Sequence, residues 1–314
     1  MHARTLCPIC QTQTAPLFTW PYAAPELAWV ATRFPTLAPT LSRHDFTIRG
    51  CTGCQLLFQE LTPDLDELLS IYGTHAAMQT GSQQAIEHEI SHQKLHWFAH
   101  LTEEILVMRQ LLASPAPKVL DFGANWGKWA SMALAFGCQV HAVELNPAAA
   151  AFCAGRGIRM LHEHELSDHR FDFIHCDQVV EHLAAPLTLL RTLAGCLHDH
   201  GYLMISTPQD QTLPDKLQQS HTARHGALLN PTDLDSLDPL VHLNLFTNHA
   251  LRALGHQAGL HPVRLPFWKW MGAGQLWNLP RQLNRNLVVP KKRFLMQGTY
   301  LWFQKHITTG SCQR

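Results

Sequence analysis

The chain has 314 residues, enough for one large or two modest domains. Apolar residues make up 46% and charged residues 15%, the balance of a soluble globular protein, and no run of roughly eighteen apolar residues offers a membrane span. The formal net charge is zero but unevenly spread: nine Lys/Arg and no Asp/Glu fall between His261 and Arg314, leaving fifteen basic against 24 acidic residues before it, a net of −9. The start, "MHARTLCPIC", lacks the apolar core of a signal peptide, and nine cysteines, an odd number, fit a reducing compartment; a cytoplasmic location is expected.

Residues 1–62 carry Cys7-Pro-Ile-Cys10 and Cys51-Thr-Gly-Cys54 and little helical periodicity. Two residues between cysteines let both thiolates reach one tetrahedral ion, and four soft ligands select zinc. The gap of 40 residues between the pairs exceeds the usual spacing of about 15–20. Even so, "IRGCTGCQLLF" reads as strand-turn-strand, so a small ribbon with a structural zinc on Cys7, Cys10, Cys51 and Cys54 is expected. The other five cysteines are isolated and read as ordinary thiols. A helical connector follows over 63–113, where Ile86, Ile90, Phe98, Leu101, Ile105, Met108 and Leu112 mostly recur at three- and four-residue steps. "SPAPK" ends it.

The remainder, 114–314, alternates strand-like and helical runs. "KVLDF", "QVHAVEL", "FDFIHC" and "GYLMIST" are expected strands. Helices are expected at 125–136, 147–154, 185–197 and 248–258. This rhythm predicts an α/β fold, a doubly wound parallel sheet with helices on both faces. "LHPVRL" and "TYLWFQ" are expected to pair antiparallel at one sheet edge. A basic insertion at 267–292 holds Trp268, Trp270 and Trp277.

"KVLDFGANWGKW" places two glycines directly after a strand. Gly123 and Gly127 allow backbone angles and approaches that a Cβ forbids, Asn125 tolerates a left-handed conformation, and the next helix offers free N–H groups to an anion. The dinucleotide fingerprint fails at Asn125 and Lys128. A phosphate-binding P-loop fails as well, because Trp129 follows Lys128. Glu144 ends the next strand, seventeen residues after Gly127, where a carboxylate can accept both hydroxyls of a ribose.

The loop resembles the D/E-x-G-x-G-x-G loop of class I S-adenosylmethionine-dependent methyltransferases, with Asn125 in place of the middle glycine. "FDFIHCDQVVEHLAAP", "GYLMISTP" and "HLNLFTNHALRALGHQAGL" resemble later motifs of that family, in order, over roughly 85–265. The resemblance implies a Rossmann-like, mostly parallel seven-stranded sheet. It also implies S-adenosylmethionine bound by Asp121, Phe122, Gly123, Ala124, Asn125, Gly127, Glu144 and Leu145, with Asp177 at the end of the fourth strand beside them. No clear acidic partner for the adenine amino group stands out; "LHEHELSD" offers Glu163 and Glu165 without a choice between them.

Glu181 and His182 follow that strand, where the resemblance points the methyl group, and His242 in "VHLNLFT" is a second candidate base. His182 suits a general base or a helix cap equally well, and His242 a base or a structural histidine. Some family members bind a divalent metal through E-x-x-E-H; here Gln178 replaces the first carboxylate. His221 and His225 lie in an expected lid, 209–240. Together with the cysteine pairs, the chain resembles bacterial methyltransferases with an N-terminal zinc-binding segment, some of which act on nucleotide-carried sugars. The expected acceptor is therefore a small anionic metabolite. An RNA acceptor is the second reading, suggested by the ribbon and the basic segment and not favoured. A zinc-binding scaffold with a degenerate site is the third, supported only by Asn125 and Gln178. The tryptophans also suit contact at a membrane surface. Oligomeric state and the methylated atom stay open.

Overall fold

The computed structural model describes residues 1–64, 66–68, 71, 99–112, 114–208, 213–222, 237–264 and 300–305. Ile86, Ile90 and Phe98 of the expected connector, the basic 267–292 segment and His225 lie outside the described residues. The chain divides into two compact units. One comprises Met1–Met78, Gln178–Leu187 and Thr207–Leu254, and the other Gln79–Asp177, Thr188–Ser206 and Gly255–Arg314. The segments 1–62, 63–113 and 114–314 read from the sequence do not coincide with these units.

In the first unit, β1 (His2–Ala3) pairs with β5 (Leu61–Thr62), and β2 (Ala15–Pro21), β3 (Asp45–Gly50) and β4 (Leu57–Gln59) form an antiparallel sheet. Its edge is completed by β11 (Asn244–Leu245), almost two hundred residues further along the chain. The sequence showed little helical periodicity here, yet short helices stand at Ala28–Arg33 and Ala38–Leu41. Each is about one turn or a little more, too short for a period to register. Phe18, Trp20, Phe46, Ile48 and Leu57 fill the core with Leu213 and Leu217. Those two leucines belong to the helix Leu213–Thr222, so part of the expected lid is anchored in this core.

The second unit holds seven strands in the order β12-β13-β10-β9-β6-β7-β8. They are β6 (Lys118–Phe122), β7 (Gln139–Val143), β8 (Arg159–Met160), β9 (Phe171–Asp177), β10 (Leu197–Ser206), β12 (Leu260–Pro262) and β13 (Tyr300–Lys305). From β8 through β10 every pairing is parallel, and β13 runs antiparallel to both its neighbours. The expected antiparallel pair is therefore present. Val119, Leu120 and Phe173 are fully buried, as expected of strands covered on both faces, which read as unbroken apolar runs. The chain leaves β6 towards β7 on one side and returns to β9 on the other. In sheets with such a reversal ligands bind outside the carboxyl ends of the strands, which here is the end of β6. The helix after the loop is Lys128–Ala135, shorter than the expected 125–136 because Asn125 and Gly127 have left-handed φ of 50° and 67°. Helix Pro147–Gly155 begins as its sequence dictates: Asn146 accepts from the amides of Ala148 and Ala149, and proline occupies the first turn.

Candidate active site

The glycine loop leaves β6 at Phe122 and is pinned to the end of β7. The amides of Gly123 and Ala124 both donate to the Val143 carbonyl, at 2.9 and 3.1 Å. Glu144 then reaches across: Oε2 accepts from the Asn125 amide and Oε1 from the Asn146 amide, each at 2.7 Å. The carboxylate that the sequence pointed to is thus held fork-like by two backbone donors, and each oxygen keeps a further lone pair for a ligand. Asn125 closes the turn by accepting the Trp126 amide on its own Oδ1 at 2.8 Å. Its φ of 50° and that of Gln178, 55°, show that both departures from the family pattern occupy backbone conformations open to them. Leu145, the next residue, is 66% exposed, a largely uncovered apolar surface. Asp177, at the end of β9, accepts a short hydrogen bond from the Ser206 hydroxyl at the end of β10.

Asp121 lies beneath this loop rather than in it, 2% exposed, with Oδ1 2.8 Å from His175 Nδ1. The other imidazole nitrogen of His175 is 3.5 Å from Glu104 Oε1. Glu104 also accepts from Trp129 Nε1 at 2.8 Å and from the Tyr300 hydroxyl at 2.6 Å. Sequence reasoning missed Glu104, His175, Trp129 and Tyr300. The one available signal was a carboxylate on the helix face carrying Leu101, Ile105 and Met108.

In the first unit, Glu181, His182 and His242 converge, with a ligand-type atom from each within 4.8 Å of the others. Glu181 is 1% exposed. His182 Nδ1 is 2.9 Å from the Val241 carbonyl, which can only accept, so Nδ1 carries a proton. Its Nε2 is 3.7 Å from Glu181 Oε1, where a proton it gained would face a carboxylate. The His182 and His242 rings are 5.1 Å apart.

Two loops bring these residues together, and the N-terminal sheet holds both. Arg4 donates to the carbonyls of Ala184, Gln59 and Leu243 and to Asn244 Oδ1, at 2.8–3.2 Å. Asn244 Nδ2 donates to the Leu183 and Val180 carbonyls. The amide of Gln59 spans the other loop, donating to the carbonyls of Leu237 and His242 while its oxygen accepts from Leu240. None of these three residues belongs to a recognisable motif. Arg4→Ala leaves several buried oxygens without their donor. It is expected to cost about 2 kcal/mol in urea denaturation.

The four motif cysteines also meet. Cys7 Sγ is 3.5 Å from Cys54 Sγ and Cys10 Sγ is 3.4 Å from Cys51 Sγ, all four within 4.8 Å. Both pairs fold alike. The amide four residues after the first cysteine donates to that cysteine's carbonyl, and Gln11 and Gln55 take the same left-handed φ, 57° and 59°. The Cys54 amide points at Cys51 Sγ, 3.4 Å away. Thiolates at about 2.3 Å from a zinc ion need sulfurs close together and backbone amides aimed at them, and this quartet supplies both. The donor set therefore fits a structural zinc ion.

A family model described as a methyltransferase domain matches residues 92–265, more than half of the chain. No curated protein sequence matches. Among solved structures, an amino pentose methyltransferase from Micromonospora echinaspora involved in calicheamicin biosynthesis is similar at 21% identity, over 37% of this chain and 52% of that one, with a TM-score of 0.33. The chain thus spans about half the length of that relative. The plantazolicin methyltransferase BpumL, in complex with S-adenosylhomocysteine, is similar at 11% identity over 77% and 98%, with a TM-score of 0.44. An S-adenosylmethionine-dependent methyltransferase from Mesorhizobium loti is similar at 16% over 63% and 95%, with a TM-score of 0.40. All three scores are below 0.5, so the assignment rests on the domain match. The chain belongs to the methyltransferase-domain family, in its class I, S-adenosylmethionine-dependent group.

Proposed function

We propose that the protein transfers the methyl group of S-adenosylmethionine to a small anionic metabolite, of which a nucleotide-linked sugar is the model. The observation that carries the cofactor part is the fork at Glu144: a carboxylate fixed by two amides at 2.7 Å, at the end of β7, facing a loop of left-handed residues. In this reading Glu144 accepts the ribose hydroxyls and exposed Leu145 offers an apolar face to the adenine. Residues 121–127 supply backbone around the amino acid end, with Asp177 beside it. The acceptor part rests on the excess of nine basic over no acidic residues from His261 to Arg314.

The sulfonium already activates the methyl group, so the protein's task is to orient the acceptor, exclude water and remove a proton where one must leave. His182 is the group suited to that removal, because its Nδ1–H, tied to the Val241 carbonyl, fixes the ring with Nε2 3.7 Å from Glu181. His242 and Glu181 stand beside it. Zinc, held by Cys7, Cys10, Cys51 and Cys54, would serve the fold and not the transfer.

Calorimetric titration with S-adenosylhomocysteine tests the cofactor reading. Wild-type protein is expected to bind in the micromolar range, and Glu144→Ala to lose about two orders of magnitude, two charge-assisted hydrogen bonds' worth. Equal binding by both proteins would sink it. Neutralising Arg281, Arg285, Lys291, Lys292 and Arg293 separates the acceptors. A steep salt-dependent loss of RNA binding would favour RNA over a metabolite. Truncation cannot serve here, because β13 follows the basic segment and completes the sheet.

A further inference from the structure

Both ends of the glycine loop are tied to one buried cluster. Asp121 precedes the loop and Trp129 opens the helix that follows it. Their side chains meet underneath it, on His175 and Glu104. The Trp129 indole lies flat on the His175 imidazole, centroids 4.4 Å apart and planes 9° apart, and donates its N–H to the same Glu104 oxygen that lies 3.5 Å from His175. Asp121 and Glu104 are each 2% exposed, Trp129 3% and His175 5%. Strands β6 and β9, the helix Ala99–Leu111 and the helix Lys128–Ala135 each contribute one of these four groups.

We propose that His175 is a positioning residue for the cofactor: as an imidazolium between Asp121 and Glu104 it fixes the two anchors of residues 122–128 and holds the loop in its binding conformation. Geometry and charge agree. Two buried carboxylates facing one another across an uncharged ring would be unfavourable, and a cation between them removes that cost. A flat indole on the ring face further favours the charged form. Burial alone would lower the pKa of His175, but Asp121 and Glu104, with Asp177 at the end of its own strand, override it and raise the value to about 9. Tyr300, from β13, faces the second oxygen of Glu104. The folded-state pKa is above the unfolded one, about 6.5, so the contribution is complete below that pH and is lost as pH rises through about 9.

The inference rests on the reading of this loop as the S-adenosylmethionine site, and two measurements on the full-length protein keep the two claims apart. Amide hydrogen exchange over residues 122–128, without ligand at neutral pH, reports the loop directly. S-adenosylhomocysteine titration across pH 7–10 reports binding. In His175→Gln the loop amides are expected to exchange faster. Affinity is expected to fall about tenfold to hundredfold, the range seen when a partner of a ligating group is removed. Wild-type affinity should decline through about pH 9, and that component should be absent in the variant. Unchanged exchange together with a superimposable affinity and pH profile would overturn the role of His175. Should His175→Gln not fold, Trp129→Phe decides, because it keeps a six-membered aromatic ring over His175 and removes the N–H to Glu104 together with the rest of the five-membered ring. Faster loop exchange and weaker binding support the proposal, and wild-type values of both reject it. Wild-type protein that bound no S-adenosylhomocysteine would end the cofactor reading, while loop exchange would still judge the anchor.

Discussion

Cys51→Ser is expected to lose the metal and, with it, the order of the cysteine end of the N-terminal sheet. Structural zinc on thiolates contributes about 10–16 kcal/mol of apparent binding free energy in small zinc modules at neutral pH. Whole domains are stable by only about 5–15 kcal/mol. A core of Phe18, Trp20, Phe46 and Ile48 holds the middle of the sheet without metal. Beyond buried Ile9 and Leu56, the turns Cys7–Thr12 and Cys51–Leu56 are closed by a few backbone hydrogen bonds around left-handed Gln11 and Gln55. A hydrogen bond from Cys54 pulls Cys7 down to about 5, and the same contact pushes Cys54 up. The variant should therefore melt lower by more than about 10 °C and be cleaved first near residues 7–12 and 51–56 in limited proteolysis. Elemental analysis should find about one zinc per wild-type chain and well under one in the variant. A Cys51→Ser protein of unchanged melting temperature and proteolytic pattern would show that the quartet does not staple this sheet.

The same sheet explains part of what the sequence could not reveal. The cysteine pairs were legible because ligand spacing is local, and the parallel strands were legible because strands buried on both faces leave unbroken apolar runs. Glu144 was legible because a strand-end acid at a set distance from a glycine loop is again a feature of one short stretch. The strands β8 and β11 have two residues each, below the length at which a period exists. Arg4, Gln59 and Asn244 bring Glu181, His182 and His242 together by hydrogen bonds to backbone carbonyls 55 to 239 positions away. Carbonyls are present at every residue, so no side-chain pattern marks their partners. Glu104 failed for a different reason. On a helix whose buried face carries Leu101, Ile105 and Met108, one carboxylate is the ordinary exception that points to solvent, and only the fold shows it facing His175 and Trp129. The groups that sequence reading missed are the buried polar ones, whose satisfaction is settled by tertiary pairing.

Gly127→Ala is the substitution expected to damage the glycine loop most, and two separable physical costs produce that effect. The first is conformational: φ is 67° at Gly127, in the left-handed region, where an L residue with a Cβ pays about 1–2 kcal/mol. The second is steric: the added Cβ would stand 2.7 Å from Cys153 Sγ and 3.3 Å from Ile158 Cδ1. Cys153 is fully buried, so it cannot swing away into solvent, and overpacking of this kind costs about 1–3 kcal/mol. The sum, about 4 kcal/mol, approaches the whole stability of a modest domain. A Cys153→Ala background separates the two. It removes the sulfur that the new methyl would strike but leaves φ as it was, so Gly127→Ala measured there should cost about half as much in urea denaturation. S-adenosylhomocysteine affinity should follow the conformational part alone, remaining weak in the double variant, because the backbone donors of residues 123–127 are displaced whenever φ at 127 leaves its native value. Full recovery of both stability and binding in the double variant would mean that the sulfur contact, and not the left-handed turn, is what demands glycine here. A single variant as stable and as tightly binding as wild type would mean that the loop does not hold this conformation at all.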